Sequence, residues 1–294
     1  MKIVICSDGM PAAESAMRLG AAFAVPLKAD VVVLGVAEKP EDEAALQHAL
    51  EKQAESLRSQ AVSPKIEMCA GDPVRQIAAE TAKIKYDLVI IGARTTGSTG
   101  LHLRSEKMYE LIKSISPPVL VAMGEWAQLK RFLVCTGGKE FIEDAVQLTG
   151  KLARAVGASV TLLHVMAEPP AIYADLVELE EDVDRLLASK SELGMNLFEQ
   201  KADLENLGVP AEVRIRHGIV VDQVLAEARE KNYDLIVTGS SQSHGMIRHY
   251  IMGDVTRSIL NYADCPVLVV HAGQQKTEST FGAALKRLFR TSGE

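Results

Sequence analysis

Apolar residues along this chain fall into short, nearly continuous runs, separated by longer stretches in which they recur at intervals of three and four. Runs such as "DVVVLGV" (30–36) and "DLVII" (87–91) carry Val, Ile or Leu at almost every position. Strands of that kind are buried on both faces, as parallel strands are, whereas the stretches between them have helical period. In the first half the pattern predicts strands at 2–6, 30–36, 65–69, 87–92 and 118–122, with helices at 11–24, 41–60, 72–84 and 104–115. In the second half it predicts strands near 131–135, 159–165, 211–216, 234–239 and 266–271. Strand and helix alternate throughout, so the expected class is α/β, a parallel sheet with helices on its faces.

The two halves are copies of one another. "KIVICSDG" (2–9) returns as "RFLVCTGG" (131–138), offset by 129, while "YDLVIIGA" (86–93) returns as "YDLIVTGS" (233–240), offset by 147. "PVLV" at 118 returns at 266, offset by 148. Two homologous domains are expected, at 1–124 and 130–272, joined by "MGEWAQLK" (123–130). The growth in offset from 129 to 147 places 18 extra residues inside the second copy. They lengthen a helical stretch at 171–207, where Ile172, Leu176, Leu179, Val183, Leu186 and Leu187 recur beside Asp175, Glu178, Glu180, Glu181, Asp182 and Asp184. That spacing describes an amphipathic surface helix with an acidic outer face. The carboxylates do not converge with a histidine as metal ligands would.

Composition narrows the class of function. With 32 basic and 39 acidic residues the net charge is -7, which disfavours nucleic acid and anionic membranes as partners of the whole molecule. The N-terminus "MKIVICSDGM" is too short in apolar length for a signal peptide, and no run reaches the roughly 18 residues of a membrane helix, so a cytoplasmic protein is expected. There Cys6, Cys69, Cys135 and Cys265 stay reduced. None forms a C-x-x-C pair, and Cys6 and Cys135 lie in apolar runs as buried thiols do.

An Asp-Gly turn after the first strand of the first half, "GDP" or "HG" before the third helix, glycine-bearing loops after the fourth strand, and a closing "PVLV" that the second half carries as "CPVLVV" follow in order along the chain, most of them in both halves. The set resembles the universal stress protein family. That resemblance implies two doubly wound, five-stranded domains of adenine nucleotide alpha hydrolase-like fold in tandem, each with sheet order 3-2-1-4-5. It also implies pairing through the fifth strand, here within one chain, and leaves room for a dimer of chains. Members that bind ATP carry an Asp after strand one, on the adenine-ribose side, and a G-2x-G-9x-G-[ST] loop. Small residues there let the backbone and a helix N-terminus approach the phosphates.

Measured against that pattern, each half lacks something. In the first, Asp8 and Gly9 match, Val36 stands where the family offers backbone to adenine, and Gly92 opens the loop. The loop itself departs: Thr95 replaces its second glycine, and Ser105, Glu106 and Lys107 replace its last Gly-Ser pair. In the second half Val165 matches Val36, and Gly239, Ser240, Gly253 and Thr256 keep the frame of the loop, with Gln242 in place of a glycine and one residue inserted. Gly137 stands where the adenine-side Asp belongs, and Asp254 replaces the hydroxyl residue that donates to phosphate. One carboxylate about 5 Å from one phosphate charge costs on the order of 3 kcal/mol at an effective dielectric of ~20. That is a large part of the roughly 8 kcal/mol behind micromolar affinity. A divalent ion, Mg or Mn, bridging Asp254 to the phosphates would remove the penalty; so would positive charge from His244, Arg248 and His249. Without a ligand, Asp254 simply suits a helix start.

No Ser-His-Asp spacing, G-x-S-x-G elbow, H-E-x-x-H or Walker lysine occurs. The expected function is that of a non-enzymatic regulatory or protective stress protein. Two alternatives stay open, a scaffold that has lost nucleotide binding and a weak ATP hydrolase. His164, His217 and His271 read as structural residues at strand ends or turns. The end of the chain, 273–294, reads as a polar linker and a basic amphipathic helix, with Phe281, Ala284, Leu285, Leu288 and Phe289 on one side and Lys286, Arg287 and Arg290 around it. Such a segment docks on its own domain, on a partner protein or on a membrane surface.

Overall fold

A computed structural model of the chain describes residues 1–10, 13–93, 101–124, 126–136, 142–167, 183–240 and 255–271. The first half runs β1 (Lys2–Ser7), α1 (Ala13–Leu27), β2 (Asp30–Ala37), α2 (Glu43–Ser59), β3 (Lys65–Ala70), α3 (Pro73–Lys83), β4 (Leu88–Gly92), α4 (Leu101–Ser114) and β5 (Val119–Ala122). The second runs β6 (Arg131–Thr136), α5 (Ile142–Val156), β7 (Ser159–Met166), α6 (Val183–Ala188), α7 (Glu192–Asn206), β8 (Ala211–His217), α8 (Val220–Glu230), β9 (Leu235–Ser240), α9 (255–262) and β10 (Val267–His271).

Among the described residues ten strands form one sheet in the order β3-β2-β1-β4-β5-β10-β9-β6-β7-β8. Each half therefore has the order 3-2-1-4-5. Every pairing is parallel except that of β5 with β10, which run antiparallel with Leu120 opposite Leu268. The halves meet through their fifth strands and are related by a pseudo-two-fold at that seam.

Because the strands are apolar at nearly every position, both faces of the sheet need cover. One layer of buried side chains lies under α1, α2, α5 and α7, with Phe23, Leu50, Phe132, Leu162 and Leu204 among its members. The other lies under α3, α4, α8 and α9, around Val89, Ile112, Leu163, Ile236 and Ile259. Phe23 of α1 meets Phe132 of β6 edge to face, centroids 6.4 Å apart, so the first layer is continuous across the seam.

The repeated Tyr-Asp pair has a structural cause. Asp87 accepts a hydrogen bond from the Lys2 backbone at 2.7 Å, and Asp234 accepts from the Lys130 and Arg131 backbones at 2.7 and 2.9 Å. Each Asp thereby fastens the start of a fourth strand to the start of a first. The tyrosines repeat as well: the Tyr86 hydroxyl bonds Glu80 at 3.2 Å and the Tyr233 hydroxyl bonds Glu227 at 3.3 Å.

One expectation is corrected. The stretch 171–207 is not a single helix: among its described residues it breaks between α6 and α7, where the Ser191 hydroxyl caps α7 by accepting from the Gly194 backbone at 3.1 Å. The cap satisfies a donor at the start of α7 that a continuous helix would have bonded internally. Gly194 also admits close approach, since a Cβ there would stand 2.1 Å from the Leu186 carbonyl oxygen. Residues 171–182, with most of the acidic side chains, lie outside the described residues, as does the segment 273–294.

Candidate functional site

The winding of the sheet reverses at β1, which lies between β2 and β4, and again at β6, between β7 and β9. In open α/β sheets ligands bind outside the carboxyl ends of the strands at such points. Of the described candidates, Asp8, Val36, Gly92, Val165, Gly239 and Ser240 lie at or near those strand ends. β1 and β6 stand five strands apart, about 24 Å at ~4.8 Å per strand, and run in opposite directions, so the two crevices open on opposite edges of the sheet.

In the first half β1 pairs with β2 and β4 through Cys6 opposite Leu34 and opposite Ile91. Asp8, just past β1, thus shares a rim with Val36 near the end of β2 and Gly92 at the end of β4. The exposed Asp8 carboxylate accepts from the Met10 backbone at 2.9 Å. The Gly9 backbone donates to the Ser7 hydroxyl at 3.0 Å, and that hydroxyl donates to Gln53 Oε1 of α2 at 2.7 Å. Gly9 has φ 73°, and a Cβ on it would lie 3.0 Å from Ala49 Cβ, so α2 holds the turn that presents Asp8. Val36 and Val165 occupy matching places, each half-buried against the layer of α3 and α8.

In the second half Gly239 and Ser240 close β9, opposite Val270 and His271 of β10. Thr256 is 1% exposed and donates to the Gly239 carbonyl at 3.0 Å. Its hydroxyl, expected at the phosphate end, fastens the start of α9 to the end of β9. Gly253 and Asp254 lie outside the described residues, as do 94–100, 137–141 and 241–252.

Two histidines stand out from the sequence expectation. His164 lies within β7, not at its end, and its Nδ1 is 2.9 Å from the Thr136 carbonyl oxygen and 3.2 Å from the Thr136 hydroxyl. A carbonyl oxygen only accepts, so Nδ1 carries the proton and Nε2 the lone pair. Loss of hydration lowers the pKa of His164, against the opposing hydrogen bond to Thr136, and favours the neutral ring. His271 ends β10, is 7% exposed and, among the described residues, has no hydrogen-bond partner at either ring nitrogen; burial lowers its pKa too. Neither environment is written in a local motif. For His164 the repeat alone gives a signal, because its counterpart is Gly35.

The cysteines are poor nucleophiles here. Burial pushes the Cys6 thiol up to about 12, helped by Cys69, and lost hydration does the same for Cys135, helped by Cys265. Among the described residues no group of three or more His, Cys, Asp or Glu could hold a metal, and no helix is long and apolar enough to cross a membrane.

Comparison with known proteins follows the repeat. The profile of the Universal stress protein family matches residues 1–122 and again residues 128–271. The chain is similar to universal stress protein YxiE of Bacillus subtilis, 27% identical over 48% of this chain and 97% of the relative. It is also similar to universal stress protein MJ0531 of Methanocaldococcus jannaschii, 25% identical over 48% of this chain and 81% of the relative. The crystal structure of a universal stress protein from Archaeoglobus fulgidus superposes with TM-score 0.70 at 17% identity, over 92% of this chain and 98% of that one. At that identity the likeness speaks for the fold alone.

Proposed function

We propose that this chain, which belongs to the universal stress protein family, is a cytoplasmic regulatory or protective protein that binds adenine nucleotide without transforming it. The observation that carries this reading is the convergence of Asp8, Val36 and Gly92 on one switch-point rim, with the Asp8 carboxylate exposed on a turn that α2 holds. A carboxylate so placed accepts hydrogen bonds from a nucleoside, and the glycine ending β4 admits close approach of backbone to ligand.

On this reading residues 1–124 and 130–272 are the two binding units. The first takes ligand through Asp8, Val36 and Gly92; the second through Val165, Gly239, Ser240, Gly253, Asp254 and Thr256. Asp254 requires Mg or Mn to accept a phosphate beside it. Binding without chemistry agrees with Cys6 and Cys135 thiols held near 12, far from nucleophilic at neutral pH. A second reading, a scaffold whose second pocket no longer takes phosphate, is favoured by one observation: the Thr256 hydroxyl is buried and bonded to Gly239.

Calorimetric titration of ATP with and without Mg or Mn tests both readings, against the native chain, Asp8→Ala and Asp254→Ser. The nucleotide reading expects metal-dependent binding that Asp8→Ala weakens. Absence of binding to the native chain, with binding restored by Asp254→Ser, would establish the scaffold instead.

A further inference from the structure

Helices α2 and α7 hold equivalent places in the two halves, with buried Leu50 and Leu57 of α2 answering to buried Leu197 and Leu204 of α7. Their outward faces differ. On α2 that face carries exposed His48, Glu51 and Glu55, the polar residues a solvated helix needs. On α7 the same three positions hold Met195, Phe198 and Ala202, and Met195 and Phe198 are 48% and 57% exposed. A lone apolar side chain at a surface needs no explanation. Two large ones a turn apart, where the homologous helix keeps a histidine and a glutamate, form a stripe that the described residues leave open.

The stripe has an acidic border. Exposed Glu192, Glu199 and Glu205 flank it, the last in an ion pair with Lys201 at 3.3 Å. Residues 171–206 contain ten acidic and three basic residues, an excess equal to the net charge of the entire chain. The segment 171–182, apolar on one side, supplies five of those acids, so its charge opposes a seat against that border. The complementary pattern lies in 281–290, where Phe281, Ala284, Leu285, Leu288 and Phe289 recur at helical spacing among Lys286, Arg287 and Arg290.

The distances allow the two to meet. β10 runs parallel with β9, β6, β7 and β8, so its end at His271 lies on the same edge of the sheet as the ends of those strands. α7 finishes at Asn206, just before β8 begins at Ala211, and its 15 residues set its first turns about 22 Å back toward that edge. From β10 to β7 is three strand spacings, about 14 Å, to which one helix adds a thickness of about 10 Å. A stretch of nine residues, 272–280, can extend to about 30 Å. We propose that the Met195–Phe198 face of α7 is the docking surface of the chain's own segment 281–290, whose apolar side covers Met195 and Phe198 while its basic residues meet the acidic border. The tether holds the segment at millimolar effective concentration, ahead of the same segment from a second copy in dilute solution. Nucleotide binding is not required for it.

The test places the photo-crosslinker p-benzoylphenylalanine at Phe198 of the full chain, with Glu51 as the control position on α2, and maps the crosslinked peptides by mass spectrometry. From Phe198 the expected product joins α7 to a peptide within 281–290 and migrates as a single chain on a denaturing gel; from Glu51 no such product forms. Reversal of the three charges together, Lys286→Glu, Arg287→Glu and Arg290→Glu, is expected to lower the yield about tenfold, with circular dichroism showing the fold intact. A crosslink from Phe198 to 171–182, a crosslink joining two chains, or none at all would overturn the docking. So would a yield that the charge reversal leaves unchanged.

Discussion

His271→Met offers a direct test of how the seam is built. His271 ends β10, and its pseudo-two-fold counterpart after β5 is Met123, also 7% exposed. The histidine buries two ring nitrogens with no partner among the described residues, and an unsatisfied buried polar group costs about 1–3 kcal/mol. Methionine is tolerated at the equivalent place, so the substitution is expected to stabilise the chain by about 1–3 kcal/mol, or about 2–4 °C in Tm per kcal/mol. The pH dependence has a definite sign. Burial holds the His271 pKa below its ordinary 6.5. As pH falls below that value the unfolded chain takes up a proton that the folded chain does not, and stability declines, by up to about 1.4 kcal/mol per pH unit per histidine. His164 acts in the same direction. Urea denaturation of both chains at about pH 7.5 and about pH 5.5 reads the two effects together. The variant should have the higher midpoint at both values and lose less stability on acidification. A variant that is less stable at the higher pH, with the same acid decline as the native chain, would refute the account of His271 as an unpaired neutral ring.

Three further outcomes are expected. Arg216→Ala removes the 2.7 Å bond to Glu227, a carboxylate 1% exposed that Arg214 approaches only to 3.6 Å. Loss of one partner from a buried pair should cost about 3–5 kcal/mol, measured as a lower urea midpoint. Gly124→Ala should cost about 1–3 kcal/mol, because φ there is 65° and a Cβ would stand 1.9 Å from the Asp264 carbonyl oxygen; a scanning calorimetric Tm equal to native would count against that contact. Finally, Cys6, Cys135 and Cys265, each raised to about 12 by burial, should react with a thiol reagent at neutral pH only as fast as the chain unfolds. Mass spectrometry of the labelled native protein would show otherwise if any is a working thiolate.

Much of the fold could be read from the chain because its information is local and repeated. Each strand is a run of β-branched and aliphatic residues, and burial on both faces is what such runs require; the repeat then gave every expectation a second chance to agree. Strand order was not legible in composition or period. It came from the family resemblance, and the register of β5 against β10 is visible only in the folded sheet. The helical period at 171–207 concealed the break at Ser191, since apolar spacing survives a cap that re-enters in phase. At the site, Asp8, Val36 and Gly92 were legible because they adjoin strand ends that the pattern locates. The contact of His164 with Thr136 was not, because the two are 28 residues apart and meet only when β7 is laid beside β6. Thr256 shows a second thing that only packing supplies. Its type and position suggested a ligand contact, and only packing reveals that its hydroxyl serves the Gly239 carbonyl.

The antiparallel seam between β5 and β10 has a bearing on evolution as well as on architecture. Where two separate subunits meet through such strands, every substitution appears on both sides, and dilution can part them. A tether removes both constraints. The halves face one another at a fixed high effective concentration, whatever the amount of protein present. Each can then change independently: His164 exists without a second histidine at Gly35, and Asp8 without a second aspartate at Gly137. One covalent partner has let the two halves of a symmetric pair diverge in sequence.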